Sequence, residues 1–184
     1  EIIPDPTSLM ESMRAVGYTF ESAIADLIDN SISAKADIVE IKYDASKIPF
    51  VSVLDNGCGM TPDELTTAMR HGSHSPEDHR DPSDLGRFGL GLKTASLSQC
   101  RKLTVVSKKY GLISSRQWDL DFVHESGKWL VKVPTTTELL TIPLFVELQS
   151  LQSGTLVTWQ NLDRLTCGAN DPQSEMTEKL IPLF

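Results

Sequence analysis

Phe50-Val-Ser-Val-Leu-Asp55-Asn-Gly-Cys-Gly-Met60 decides the fold: an alternating, β-branched run stops on an acid, and two glycines come within the next four residues. Residues 50–54 read as a strand. Residues 55–60 read in two ways. Asn56-Gly57 is by itself a strong tight-turn signal. A carboxylate and two glycines at a strand end also let backbone approach a flat ligand, with the acid ready to accept from an exocyclic amine. A calcium loop is excluded, because oxygen ligands at alternate positions and a distal Glu are missing.

Upstream, residues 38–43 alternate with period two, and a turn over 46–49 makes the pair a hairpin. Before it, Thr19 offers an N-cap to a helix whose stripe is Phe20, Ile24, Leu27 and Ile28. A short helix over 8–13 precedes it, broken by Gly17. Downstream, Thr61-Pro62-Asp63-Glu64 has a capping hydroxyl, Pro at the first helical position and acids in the first turn, so a helix runs to Met69 or Arg70. Residues 72–85 are rich in Ser, Pro, Asp and His without periodicity and read as a loop. A helix over 92–99 leads to strands at 102–107, 114–122, 129–133 and 155–159. Helices in the first half and strands in the second indicate an α+β fold, a mostly antiparallel sheet with helices on one face.

At 184 residues, with 40% hydrophobic content, the chain has material for one well-packed core and is read as a single domain over 1–184. No run approaches the roughly 20 apolar residues of a membrane span, and no secretory signal opens it. The absence of an initial Met reads as a piece of a longer protein. Cys58, Cys100 and Cys167 are odd in number and lack CxxC spacing, which argues against a disulfide framework or zinc site and suits a reducing cytoplasm. His71, His74 and His79 lie in the polar loop without a helical ligand spacing. A net charge of -8 disfavours direct nucleic-acid binding by this domain.

Three further stretches carry chemistry. Gly86-Arg-Phe-Gly89-Leu-Gly91-Leu-Lys93-Thr94 is a glycine-rich run entering a helix, a form that offers backbone amides to phosphates. It departs from the P-loop, since Leu92 intrudes before Lys93-Thr94, and from the dinucleotide fingerprint, which wants a third glycine near Thr94 and a strand upstream. Asp26 and Asn30 lie one turn apart on the face of their helix opposite the apolar stripe. That is an ordinary solvated face, or a station for Mg²⁺ and water, since Mg²⁺ takes oxygen ligands and a base must reach the attacking water. Ser153-Gly154-Thr155 opens the last strand and alone is a turn.

In order and spacing these elements resemble the superfamily of gyrase B, the large heat-shock chaperone, histidine kinases and MutL (GHKL), with a glycine run closest to the MORC and chaperone form. The resemblance covers about 19–160 and implies a Bergerat-type two-layer fold that binds ATP. It assigns Asn30 to Mg²⁺ and Asp26 to activating water. Asp55 would accept from the adenine amino group, Gly57 and Gly59 would admit the base, Met60 would pack on the ring, and Thr155 would share that network. Gly86, Phe88, Gly89 and Gly91 would cover the phosphates with help from Lys93. It further implies a lid over 72–88 that orders on ATP binding, a nucleotide-dependent homodimer, slow hydrolysis to ADP, and residues 170–184 as the start of a connection to a transducer domain. Family members commonly carry Glu where this chain has Asp26; a displacement of about 1 Å costs on the order of a hundredfold in rate. Two alternatives stay open: histidine-kinase phosphotransfer, against which the short stretch before Asp26 counts, and a nucleotide-binding module with weak catalysis.

Overall fold

The computed structural model describes residues 4–15, 17–46, 48–70, 91–166 and 171–180. In chain order these form α1 (Pro6–Arg14), α2 (Phe20–Ser33), β1 (Val39–Asp44), β2 (Phe50–Asp55), α3 (Pro62–Met69), α4 (Gly91–Gln99), β3 (Lys102–Lys109), β4 (Leu112–Asp119), α5 (Leu120–Ser126), α6 (Thr136–Leu139), α7 (Phe145–Ser150), β5 (Gly154–Gln160), α8 (Asp163–Thr166) and α9 (Pro172–Leu180). The strands make one sheet in the order β1-β2-β5-β3-β4, with every neighbouring pair antiparallel. The last strand is thus inserted at the centre.

Helix α2 starts where Thr19 accepts the Ser22 amide and ends on Lys35, whose φ of 61° puts it in the left-handed region. There the Ala36 amide donates to Ser31 O and the Lys35 amide to Ile32 O, the pair of reversed bonds that closes a helix before a sharp turn. The buried stripe includes Phe20, Ala23, Ile24 and Leu27. It packs on Val51, Val53, Leu103, Val105, Val157 and Trp159, the alternate strand residues of one sheet face, together with Leu65 and Met69 of α3 and Leu97 of α4. Fully burying a side chain such as Ile24 or Leu27 contributes roughly 1.5–3 kcal/mol. Helix α9 joins this layer through Met176, while Gln173 accepts the Ala45 amide.

The expected α+β architecture with an antiparallel sheet is present, and three details differ from the strand pattern. Residues 114–122 do not form one strand: β4 stops at Asp119, whose carboxylate caps α5 by accepting the Phe122 amide. Residues 129–133 contribute one bridge, Gln117 to Lys132, because the chain there meets only the outer edge of β4. Between Thr135 and Ser150 the chain forms α6 and α7 on the reverse face, where Leu139, Ile142, Leu144, Phe145 and Leu148 cover Leu54, Val106 and Leu156. No helix among the described residues is long and apolar enough to cross a membrane.

Candidate functional site

Inserting β5 beside β2 sets Thr155 directly opposite Asp55, and β5 beside β3 sets Thr155 opposite Ser107. Asp55 is buried at the strand end. Its Oδ1 accepts the Gly57 amide at 2.8 Å and the Thr155 amide at 3.3 Å, while the Ser31 hydroxyl of α2 lies 3.2 Å from Oδ2. Burial pushes the Asp55 carboxyl above the usual carboxylate range, and these three bonds pull partly the other way. A carboxylate has about four acceptor positions, so at least one is unspent.

The turn after Asp55 is pressed against the rest of the protein. The Cys58 amide donates to Ala34 O at the end of α2, and a Cβ on Gly57 would lie 2.8 Å from the Ala34 Cβ. Gly59 has φ +64°, and a Cβ there would lie 2.1 Å from Lys108 O. The glycines therefore admit the chain's own backbone on these sides. The Met60 amide donates to Ser107 Oγ at 2.7 Å, with the Met60 side chain half-buried against the main core.

On α2, Ser31 carries the contact to Asp55, and Asn30 is its neighbour in the chain. The Asn30 Nδ2 is buried and has no hydrogen-bond partner among the described residues. Leaving such a donor unmet costs about 1–3 kcal/mol. Asp26, one turn earlier, is half-buried. The Tyr18 phenol beside it is raised by burial and by the Asp26 carboxylate.

Lys93 lies on α4, fully buried, with Nζ donating to Ala68 O at 2.8 Å and Arg70 O at 2.7 Å. With the Trp118 indole N–H on Met69 O, this supplies partners for the last carbonyls of α3. Burial lowers the Lys93 ammonium to about 8. In this arrangement two of its three hydrogens are directed at carbonyls around the end of α3. Gly91 is the first residue of α4. Gly86, Phe88 and Gly89, like the 72–88 stretch and the three clustered histidines, lie outside the described residues.

Residues 18–155, well over half of the chain, match the family model described as histidine kinase-, DNA gyrase B- and HSP90-like ATPase. The chain belongs to this family. Among curated relatives it is 32% identical over 107 residues to the DNA mismatch repair protein MutL of Chlamydia abortus, covering 55% of this chain and 18% of that protein. It is 34% identical over 107 residues to ATPase morc-1 of Caenorhabditis elegans, covering 58% and 12%. It is 27% identical over 149 residues to the mismatch repair endonuclease pms1 of Dictyostelium discoideum, covering 80% and 14%. The match thus spans less than a fifth of each of these relatives.

Within this ATPase family domain, two hydroxyls join the site that no motif announced. Ser31 fastens Asp55 to α2, and Ser107 fastens Met60 to β3 while lying 3.0 Å from Thr155 Oγ1. Ser31 adjoins Asn30 in the sequence, but its inward aim depends on the helix phase. Ser107 is one hydroxyl at the end of an ordinary strand, with partners 47 and 48 residues away. No group of three or more His, Cys, Asp or Glu suited to a metal exists among the described residues. Mg²⁺ often keeps several waters and takes one or two protein oxygens plus ligand phosphates, a mode to which the Asn30 carboxamide is suited.

Proposed function

We propose that this domain binds ATP with Mg²⁺ and hydrolyses it slowly. The observation that carries the reading is Asp55, a desolvated carboxylate fixed from three elements with acceptor capacity left over. In the reading, Asp55 accepts from the 6-amino group of adenine, Met60 packs on the ring and Thr155 completes the base end. Asn30 supplies an oxygen to Mg²⁺, which when bound draws charge from the phosphates. Asp26, one turn away, accepts the proton of the attacking water. Coupling of binding to a lid over 72–88, to contacts from Gly86, Phe88 and Gly89, and to pairing of two copies is supported by the family resemblance. A reducing cytoplasm suits Cys58 and Cys100, both free thiols.

A second reading, a nucleotide-binding module with weak turnover, is favoured by the short Asp26 side chain and by the engagement of Lys93 with α3. Titration with ATP, with and without Mg²⁺, and phosphate-release assays separate the two. The parent should bind ATP more tightly with Mg²⁺, and Asp26→Ala should keep binding while losing about a hundredfold in turnover. Equal turnover in the two proteins makes Asp26 no base and leaves the module reading. Acid-labile label retained on the protein after incubation with labelled ATP indicates kinase chemistry instead. A parent that binds no ATP ends both readings.

A further inference from the structure

We infer that Ser107 is a specificity-setting positioning residue: it fixes the direction of the Thr155 hydroxyl proton and thereby selects a base edge that donates over one that accepts. The inference rests on the nucleotide reading proposed for Asp55. It begins with a row of residues. Asp55, Thr155, Ser107 and Ser114 are directly opposite one another across β2, β5, β3 and β4. Two residues further into the sheet, on the same face, the corresponding positions of β2, β5 and β3 are Val53, Val157 and Val105, all in the main core. Polar side chains thus take over at one end of an otherwise apolar face, and Ser107 is fully buried there. A buried hydroxyl is costly unless it is fully used.

Ser107 Oγ has three partners: the Met60 amide at 2.7 Å, Gly154 O at 3.0 Å and Thr155 Oγ1 at 3.0 Å. A serine hydroxyl has one proton and two lone pairs. The Met60 amide can only donate and the Gly154 carbonyl can only accept. The one assignment that uses all three contacts sends the Ser107 proton to Gly154 O, one lone pair to the Met60 N–H and the other to the Thr155 O–H. Thr155 then turns its hydrogen toward β3 and keeps lone pairs alone for a ligand. Beside the Asp55 carboxylate this makes a wall of acceptors. At the 6-position a 6-amino purine answers it with two N–H groups, whereas a 6-oxo purine places an oxygen there and keeps its donor at N1. Without Ser107 the Thr155 hydroxyl is free to rotate and donate, so the wall discriminates less.

The test compares ATP with inosine triphosphate, which carries oxygen in place of the 6-amino group, by calorimetric titration with Mg²⁺. The parent should prefer ATP, and in Ser107→Ala the ratio of the two affinities should fall about tenfold, the size of one hydrogen bond. Loss of the Met60 and Gly154 bonds weakens the fold, but a general loosening lowers both affinities and leaves their ratio alone. Thr155→Val removes the same hydroxyl pair from the other side while sparing the Ser107 bonds to Met60 and Gly154. It should lower the ratio as well, and if Ser107→Ala does not fold, an unchanged ratio in Thr155→Val overturns the inference. An unchanged ratio in the folded variants overturns the inference, as does a parent that binds both nucleotides equally well. A parent that binds neither overturns the nucleotide reading on which it stands.

Discussion

The two ends of the site are built differently. At the end proposed for the base, Asp55, Thr155, Ser107 and the Met60 amide are knitted into strands and to one another, and the glycines are filled by neighbouring backbone. At the end proposed for the phosphates, Asn30 holds an unpartnered amide and Lys93 has its ammonium committed to the end of α3. The first end is complete without a ligand; the second holds groups that are unsatisfied or engaged elsewhere. In the proposed reading, recognition of the base draws on rigidity already present, whereas work on the phosphates requires rearrangement, the part of a site that is drawn from less stable regions.

The strongest way to break the contrast is Gly59→Ala. Its Cβ meets Lys108 O at 2.1 Å on a left-handed backbone, so the turn must move and the base end should lose its rigidity. Urea unfolding should show a loss of about 3 kcal/mol, against a few tenths for an exposed control substitution.

Asp55→Asn sharpens it. The amide oxygen can keep the Gly57 and Thr155 bonds, and its NH₂ can donate to Ser31 Oγ, whose own proton then goes to Leu27 O at 3.2 Å. Burial raises the Asp55 carboxyl, so its ionised form is disfavoured by folding; that part of stability is present below the ordinary carboxylate pKa and lost as pH rises through the raised one. Thermal melting of the ligand-free variant at pH 7 should be unchanged or higher, while ATP affinity falls about a hundredfold through loss of a charge-assisted bond. Loss of both stability and affinity would make Asp55 a structural residue.

Lys93 probes the other end. Folding lowers its ammonium from 10.5 to about 8, so between those values the unfolded chain binds the extra proton and stability rises with pH; below about 8 the penalty is fully present. The unfolding free energy from denaturant titration should climb from pH 8 to 10 by at most about 1.4 kcal/mol per pH unit in the parent, and this contribution should vanish in Lys93→Met.

The strand and turn of 50–60 were legible because they are local: the strand, its terminal acid and the two glycines are contiguous. Helices α2 and α3 were likewise announced by Thr19 and by the Thr61 and Glu64 capping pair. The failures share a cause. Trp118 and Leu120 alternate as a strand should, but Asp119 caps a helix between them; Trp129, Val131 and Val133 alternate at an edge that offers one bridge. Helices α6 and α7 have four and six residues, too few to show a period, and exist by covering Leu54, Val106 and Leu156. The destination of the Lys93 ammonium and the roles of Ser31 and Ser107 depend on partners far away in the chain, which residue type and spacing do not encode.

The insertion of β5 between β2 and β3 has a consequence for how the protein comes into being. Thr155 reaches Asp55 across a separation of 100 residues, so until Gly154–Gln160 has been synthesised β2 and β3 each present an unpaired inner edge. A nascent chain stopped short of that strand would carry two sticky edges and no assembled base end. Pairings of this span are slow to close, so the docking of the last central strand is expected among the later events of folding.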